Sequence, residues 1–388
     1  MTDVAVVVPS RNRSASLTRL LDALAVQTVV PTEVAVVLDG STDDSEAVLA
    51  ARRGDPFRLV WHAQPRRGAG AARNAGVART AAPVVVFLDD DVVPEPTCVE
   101  HHVRRHDGVR CVVVGDCPIA LPSRPRPHEL KSWAWWVDFN HRRSAPSSPR
   151  TYRDVCAGNL SVRREDFDAV GGFDEGFTGY GAEDWELGVR LLDAGLLVVV
   201  EPAAVAWHHR RHTVAGMLAN MRSEGRADVH FGRRHPGMRS HLRLRYLPGG
   251  DLEARVRRAF AAPARADLAL RAAVARLAVM APTRRWWWRY DDLRAEAYWW
   301  GVAEALGSWS AWEAFVAGVP ECAAEVDAAS LPPRLDVPDG VPVHLTVTWH
   351  GEPIGAFRLP ASASRERDEL ARRITASFGG PLLLRIAG

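Results

Sequence analysis

Three consecutive carboxylates, Asp89-Asp90-Asp91, close an apolar run, Val84-Val85-Val86-Phe87-Leu88, and this junction is equipped for chemistry. The run has the composition of a buried parallel strand. Carboxylates at the carboxyl end of such a strand lie where open α/β sheets bind their ligands. Hard oxygen donors there suit Mg²⁺ or Mn²⁺, ions that usually arrive with phosphate groups. A metal-bound diphosphate is the first expectation; the plainer alternative is a solvated turn. A second acidic pair, Glu183-Asp184, opens a helical pattern that reaches Ala194. The helix dipole favours carboxylates in a first turn, so this pair is expected to stay ionised at pH 7, either for chemistry or only as a cap.

These groups need a scaffold, and the first half of the chain supplies alternating signals. Strands are expected at Val4–Val8, Val34–Leu38 and Phe57–Trp61, then at the aspartate-bearing run and at Val112–Gly115. Helical spacing fills the gaps: Leu17–Ala25 with Ser14 or Ser16 as N-cap, the segment from Thr42-Asp43-Asp44-Ser45 to about Arg53, and Gly68–Ala78. The pattern implies a mostly parallel, doubly wound α/β sheet. Residues 121–150, rich in Pro, Ser and Arg, read as a long loop with one aromatic segment, Trp133-Ala134-Trp135-Trp136. Further strands are expected near Cys156–Val162, at Leu197–Val200 and at Ala204–Trp207, the last running into His208-His209.

Beyond residue 213 the strand signal stops. Three domains are expected: 1–212, a helical Trp-rich region at 213–330, and a small α/β module at 335–388 after the break Leu331-Pro332-Pro333. In that module Val341–Trp349 and Ile354–Leu359 read as strands, 363–377 as a helix and Leu382–Ile386 as a last strand. Half of the 14 tryptophans fall between Trp286 and Trp312. That cluster reads as the core of the helical region, as an aromatic platform for an acceptor, or as a membrane-surface contact beside the amphipathic stretch Leu268–Met280.

A net charge of +2 over 388 residues does not suggest nucleic-acid binding. Five cysteines without a C-x-x-C pair argue against a disulfide framework and a zinc site and favour a reducing compartment. No signal peptide and no transmembrane run are read from the sequence, so a cytoplasmic protein is expected, with peripheral contact at the inner face of a membrane left open.

Five motifs occur in a fixed order: Val7-Val8-Pro9-Ser10-Arg11-Asn12-Arg13; Asp39-Gly40-Ser41-Thr42-Asp43-Asp44-Ser45; Gly68-x-Gly70-x-x-Arg73-Asn74-x-Gly76; Leu88-Asp89-Asp90-Asp91; and Gly171-Gly172-Phe173-Asp174-Glu175 followed by Gly181-Ala182-Glu183-Asp184-Trp185-Glu186-Leu187. Over residues 3 to 212 the set resembles the family 2 glycosyltransferases of GT-A fold. The resemblance implies a nucleoside diphosphate-sugar donor and a carbohydrate, metabolite or peptide acceptor. It implies that Pro9, Arg11 and Asp39 hold the nucleoside, with Arg73, Asn74, Asp89 and Asp90 by the donor. Leu38 stands where the family often has a second acid, which leaves the base preference open. The Asp-x-Asp pair Asp89 and Asp91, with His208 or else His209, would bind Mn²⁺ or Mg²⁺. Neighbours on a strand point to opposite faces, so one histidine at most reaches the ion. Asp184, with Glu183 beside it, would be the base of an inverting transfer, and Trp185 would face the acceptor or else sit in the core. Gly158 and Asn159 are candidates to line the donor sugar.

Three alternatives remain open. A retaining transferase of the same fold shares the Glu-Asp string. A non-catalytic carbohydrate-binding protein would tolerate loss of the acids, all of which are present. A sugar nucleotidyltransferase would want a glycine-rich basic loop after the first strand, where this chain has Pro9-Ser10-Arg11-Asn12. For the C-terminal module, acceptor binding, homodimer formation and contact with a partner enzyme are all open.

Overall fold

The computed structural model describes residues 3–144, 150–209, 213–245, 251–263, 271–273, 275–277, 283–317, 322–337, 343–359 and 365–375. Eight strands form the main sheet: β1 (Val4–Ser10), β2 (Glu33–Asp39), β3 (Arg58–Gln64), β4 (Val84–Leu88), β5 (Val92–Pro94), β6 (Cys111–Asp116), β7 (Asn159–Arg163) and β8 (Leu197–His208), in the order β3-β2-β1-β4-β7-β6-β8-β5. Strands β3, β2, β1 and β4 run parallel, as do β6 and β8; β7 and β5 are antiparallel to their neighbours. This is the mostly parallel sheet that the alternating pattern implies.

Side-chain alternation splits the sheet into two cores. Val4, Val6, Val8, Val34, Val36, Leu38, Val84, Val86 and Leu88 face one side, where helix α1 (Ser14–Ala25) packs through Leu17, Leu20, Leu21 and Leu24. Val7, Ala35, Val85 and Phe87 face the other. That face is covered by α3 (Ala69–Val77), α6 (Arg164–Ala169) and α7 (Glu183–Asp193), through Val77, Phe167 and Leu187 with Leu191. Burial on both faces is why these strands are continuous apolar runs. Helices α2 (Ser45–Ala50) and α4 (Cys98–Arg104) complete the layers.

Four local expectations change. The N-cap of α1 is Arg13, with no side-chain cap bond, and Ser14 is already helical. The two expected strands before His208 are one strand, β8, which shifts register opposite Gly115/Asp116 and so continues through Pro202. Residues expected as a long loop contain an 18-residue helix, α5 (Pro127–Ser144). Proline is tolerated in a first turn because its missing N–H would be unpaired there, so Pro127 starts this helix rather than excluding it. Leu130, Trp133, Trp135 and Val137 on α5 stay exposed.

After the sheet come α8 (Val214–Arg234), α9 (Asp251–Ala261), α10 (Arg284–Leu306) and α11 (Trp309–Val316). Trp286, Tyr290, Tyr298, Trp299, Trp300 and Trp312 are buried together, so the core alternative holds for most of the tryptophan cluster; Trp288 is 60% exposed. The stretch Leu268–Met280 lies mostly outside the described residues, and no described helix is long and apolar enough to cross a membrane. The same core takes in Phe177, Ala182 and Val189, so the helices pack directly on the segment that carries Glu183-Asp184.

Helices α8 and α10 touch backbone to backbone. A Cβ on Gly225 would lie 2.0 Å from the Tyr298 carbonyl, and one on Gly301 would lie 1.8 Å from the Arg222 carbonyl. Gly225→Ala is therefore expected to push the helices apart and cost about 1–3 kcal/mol. Thermal denaturation checks this; an unchanged melting temperature would show that the helices can separate freely.

A second sheet, order β11-β10-β9, is built from β9 (Cys322–Asp327), β10 (Val343–Trp349) and β11 (Glu352–Leu359) around its own core of Val326, Leu345, Val347, Leu359, Leu370 and Ile374. Strand β9, unmarked in the sequence reading, lies ahead of the Pro-rich break and pairs in parallel with β10. Of the expected helix at 363–377, residues 367–375 are described and helical; the expected strand Leu382–Ile386 lies outside the described residues.

Candidate active site

The carboxyl ends of β1, β2 and β4 lie side by side, and each delivers residues singled out above. At the end of β4, Asp90 and Asp91 are buried and Asp89 is half-buried. Asp90 Oδ2 accepts from Ser10 Oγ at 2.8 Å and from the Arg11 N–H at 3.3 Å, which ties the β1 loop to the acidic cluster. Burial pushes the Asp90 carboxyl up to about 7, opposed by Arg13 and reinforced by Asp91 and Asp89. Burial acts the same way on Asp91, but hydrogen bonds and charge from His208 and Arg13 win and hold it well below the usual carboxylate range.

Asp91 Oδ1 and His208 Nε2 are 3.0 Å apart. Two adjacent donors on an octahedral ion with bonds of about 2.1 Å also stand about 3.0 Å apart, so a carboxylate and an imidazole at this spacing fit a hard divalent ion. Among the described residues no three His, Cys, Asp or Glu side chains gather into a complete ion site. The donor set thus fits an ion shared with phosphate oxygens rather than one caged by protein. His209 donates its backbone N–H to the Asp91 carbonyl at 2.8 Å.

Asp89 does not join this pair. Its Oδ1 accepts from Arg73 Nη2 at 2.8 Å, while Arg73 Nη1 donates to Glu183 Oε1 at 3.1 Å. Arg73 is buried, and its guanidinium lies 5.3 Å from the Phe173 ring centroid. One guanidinium thus joins the strand-end acids to the first turn of α7. There Asp184 accepts from the Trp185 N–H at 2.9 Å and the Ala157 N–H at 3.4 Å. Burial, then the neighbouring Glu183 charge, raises the Asp184 carboxyl well above its ordinary range, although Arg73 opposes both. Burial and the Glu183 charge therefore work against the ionised form that the helix dipole favours. The turn before it is unusual: Gly181 has φ +107° and Ala182, the N-cap, has φ 65°. A non-glycine residue held in the left-handed region is strained and marks a position fixed by its surroundings.

Other candidates hold loops. Asp39 accepts from Gln64 Nε2 at 2.9 Å, the Arg67 N–H at 2.7 Å and the Gly68 N–H at 2.9 Å, so it fastens the turn into α3. Gly68 adopts φ +102°, and a Cβ there would meet the Phe177 carbonyl at 2.7 Å. Asn74 Nδ2 donates to the Phe173 carbonyl at 2.9 Å and Oδ1 accepts from the Phe173 N–H at 2.8 Å, which latches the Gly-Gly-Phe-Asp loop. Pro9 is half-buried on β1, and the Arg11 side chain is exposed. Trp185 is half-buried against the helical core, with the Arg153 guanidinium 5.8 Å from its ring centroid. Gly158 approaches the Asp89 carboxylate, 3.0 Å from where a Cβ would stand. Asn159 does not line the site: it shares a 2.8 Å hydrogen bond with His102 and donates to the Asp116 and Ala204 carbonyls inside the sheet.

The family model for glycosyl transferase family 2 matches residues 5–171, and one described as the N-terminal domain of galactosyltransferase matches 138–213. Residues 5–171 are a glycosyl transferase family 2 domain. The chain is 32% identical over 276 residues to a validoxylamine A glucosyltransferase of Streptomyces hygroscopicus subsp. limoneus, covering 62% of this chain and 58% of that protein. It is 28% identical over 253 residues to a pre-mycofactocin glycosyltransferase of Mycobacterium tuberculosis, covering 65% of this chain and 52% of the relative. The chain thus spans a little over half the length of these relatives. Among solved structures, a mannosyltransferase from Pyrobaculum calidifontis in complex with GDP-Man and Mn²⁺ superposes with a TM-score of 0.48 and 22% identity, over 76% of this chain and 85% of that one.

Within this family 2 domain, sequence reasoning missed Arg13 and Ser10. Arg13 Nη1 pairs with Asp91 and lies 3.5 Å from Asp90 Oδ1, so it supplies the charge that offsets the acids. It stands in the first quoted motif, where nothing in the spacing distinguishes it from Arg11. Tyr180 is 46% exposed on the turn ahead of the Glu-Asp pair.

Proposed function

We propose that this chain transfers a sugar from a nucleoside diphosphate-sugar to an acceptor hydroxyl, with inversion at the anomeric carbon and a divalent ion, Mn²⁺ or Mg²⁺, at Asp91 and His208. The observation that carries this reading is the Arg73 bridge. It joins Asp89, beside Asp91, to Glu183, beside Asp184, which supports reading the two acidic segments as parts of one site. The family 2 domain and the glycosyltransferase names of the relatives support sugar transfer.

In this reading the acceptor oxygen forms its bond to the anomeric carbon as the bond to the diphosphate oxygen breaks. The leaving nucleoside diphosphate keeps the bonding electrons, and the acceptor proton passes to Asp184. When bound, the ion supplies Lewis-acid charge that stabilises the departing diphosphate. Arg73 keeps Asp89 and Glu183 in register, and Asp39 and Asn74 fix the loops that border the donor. A base with a raised affinity for protons is matched to this task, because catalysis is most effective when its pKa lies near the working pH.

Cleavage of a nucleotide-sugar panel with Mn²⁺ tests the reading. A nuclear magnetic resonance spectrum of fresh product from an α-linked donor should show the β anomer. Retention would overturn the inverting mechanism, and cleavage of no nucleotide sugar would overturn the enzymatic reading itself.

A further inference from the structure

A cavity of about 580 Å³ adjoins the loop that leads into the Glu-Asp turn. Its size falls within the range of small-molecule sites, about 300–1,000 Å³. One wall is the turn from Gly176 to Gly181, and the opposite wall is a face of α8; Arg66, from the loop after β3, completes the rim. Gly181 is followed at once by Ala182, the N-cap of α7, so the cavity borders the turn that presents Asp184.

The walls are joined by specific contacts. The Tyr180 N–H donates to Ser223 Oγ at 2.8 Å, and a Cβ on Gly179 would stand 2.2 Å from that same oxygen. Phe177 meets His230 edge-on with ring centroids 4.5 Å apart. The turn therefore rests on α8 in one register, and the helical region supplies half of a site whose other half belongs to the sheet domain.

The lining has a sign. Its polar side chains are Arg66, Tyr180, Asn220, Ser223, Arg226 and His230 with one threonine, and among the described residues no carboxylate lines the cavity. Arg226 shares its charge with Glu304 at 2.8 Å and His230 contacts Asp174 at 3.1 Å, both acids outside the lining. Arg66 is exposed and pairs with no carboxylate among the described residues. A guanidinium flanked by hydroxyl and amide groups suits a ligand with both hydroxyls and an oxyanion, since charge-assisted bonds from Arg to carboxylate or phosphate are roughly twice as strong as neutral ones. We propose that this cavity is the anion-binding part of the acceptor subsite, and that it holds the phosphate or carboxylate group of a hydroxylated acceptor beside the turn that presents Asp184. This rests on the reading of Asp184 as the base.

The test uses glucose 6-phosphate, glucuronate and glucose as probes on the full chain. The diphosphate site is filled beforehand with Mn²⁺ and whichever of UDP, GDP or dTDP binds. Titration calorimetry should show one or both charged probes binding at least about tenfold more tightly than glucose, the gain expected for one charge-assisted contact. Binding of glucose 6-phosphate alone would identify a phosphate-bearing acceptor, and glucuronate alone a carboxylate-bearing one. Arg66→Gln should remove most of the advantage of the charged probe. Ala219→Trp, at an exposed α8 position in the lining, should weaken all binding by about tenfold or more by filling the space. Melting curves verify that both variants fold. No probe binding, equal binding of glucose, or binding indifferent to both substitutions would each overturn the proposal. Donor cleavage by the wild type without probe binding counts against the cavity alone; probe binding without donor cleavage counts against the transferase reading.

Discussion

Replacing Asp91 by alanine is expected to lower transfer by about 10³-fold or more, the scale of losing a fixed charge that stabilises a departing anion. Asp91 is buried and carries two partners on two oxygens, Arg13 on Oδ2 and His208 on Oδ1. Its removal leaves Arg13 with Asp90 alone and His208 without its carboxylate. Donor binding by the variant should no longer respond to Mn²⁺, measured by calorimetry with and without the ion. The same carboxylate contributes to folding. Its pKa is depressed in the native state, so its stabilisation is present above the unfolded carboxylate pKa and is lost as pH falls towards the native one. The variant should therefore lose melting temperature at pH 7 relative to the wild type, with the gap narrowing in acid. Wild-type turnover that persists unchanged in chelator would sink the metal reading, whatever Asp91→Ala does.

How much of this was legible in the sequence depends on the range over which each feature is set. The β-strands of the first half announce themselves because both faces are buried, so Val4–Val8 and Val84–Leu88 are unbroken apolar runs. Their carboxyl ends then place Asp39 and Asp89-Asp90-Asp91 without further information. What pairs with those acids is not local. Arg13 reaches 78 residues along the chain to Asp91, and Arg73 reaches 110 residues to Glu183. In a chain with a single lysine and many arginines, nothing in the spacing marks these two. Asn74 and Asn159 show the converse: both sit in motifs that suggest ligand contact, and both spend their amides on protein carbonyls. Helix α5 was hidden by the Pro, Ser and Arg content of residues 121–150, although Leu130, Trp133 and Val137 stand at helical spacing. The pressure of burial on Asp184 was not legible either: a helix dipole can be read from sequence, whereas desolvation by packed neighbours cannot.

The helical region is more than an appendage to the sheet domain. Its core takes in Ala182, and Ser223 on α8 fixes the turn at Tyr180, so the left-handed backbone that aims α7 is held from the C-terminal side. Glu186, one helical turn beyond the Glu-Asp pair, is fully buried and bonded to Arg190 at 2.5 Å and to His235 at 3.1 Å. Burial would raise its carboxyl, but His235 and Arg190 hold it down to about 2. The His235 contact anchors the α7 segment to the chain beyond α8 and gives Asp184 a fixed origin, as a positioned proton acceptor would require.

Asp184→Asn separates the catalytic reading of the Glu-Asp turn from the structural one. Asparagine keeps the size of the side chain, and its one amide oxygen can accept from the Trp185 N–H; it gives up only the longer, 3.4 Å contact with the Ala157 N–H, which the other carboxylate oxygen makes, and it cannot take up the acceptor proton. If Asp184 is the base, turnover should fall by about 10² to 10⁴ with little change in donor affinity. Stability should not fall with it. The folded-state pKa of Asp184 is raised, so its ionisation costs folding free energy as pH rises through that value, and a neutral amide escapes this cost. The variant should melt no lower than the wild type at pH 8. The wild-type rate should also climb with pH along an acid limb whose apparent pKa lies above the ordinary carboxylate range, since only the ionised carboxylate can act as base. That limb should vanish from whatever activity Asp184→Asn retains. If the carboxylate only holds the first turn of α7, asparagine keeps its contact with the Trp185 N–H, and rate and pH profile should match the wild type. A near-normal rate in Asp184→Asn would transfer the role of base to Glu183, whose carboxylate lies on the same guanidinium, or to a retaining mechanism that needs no base here.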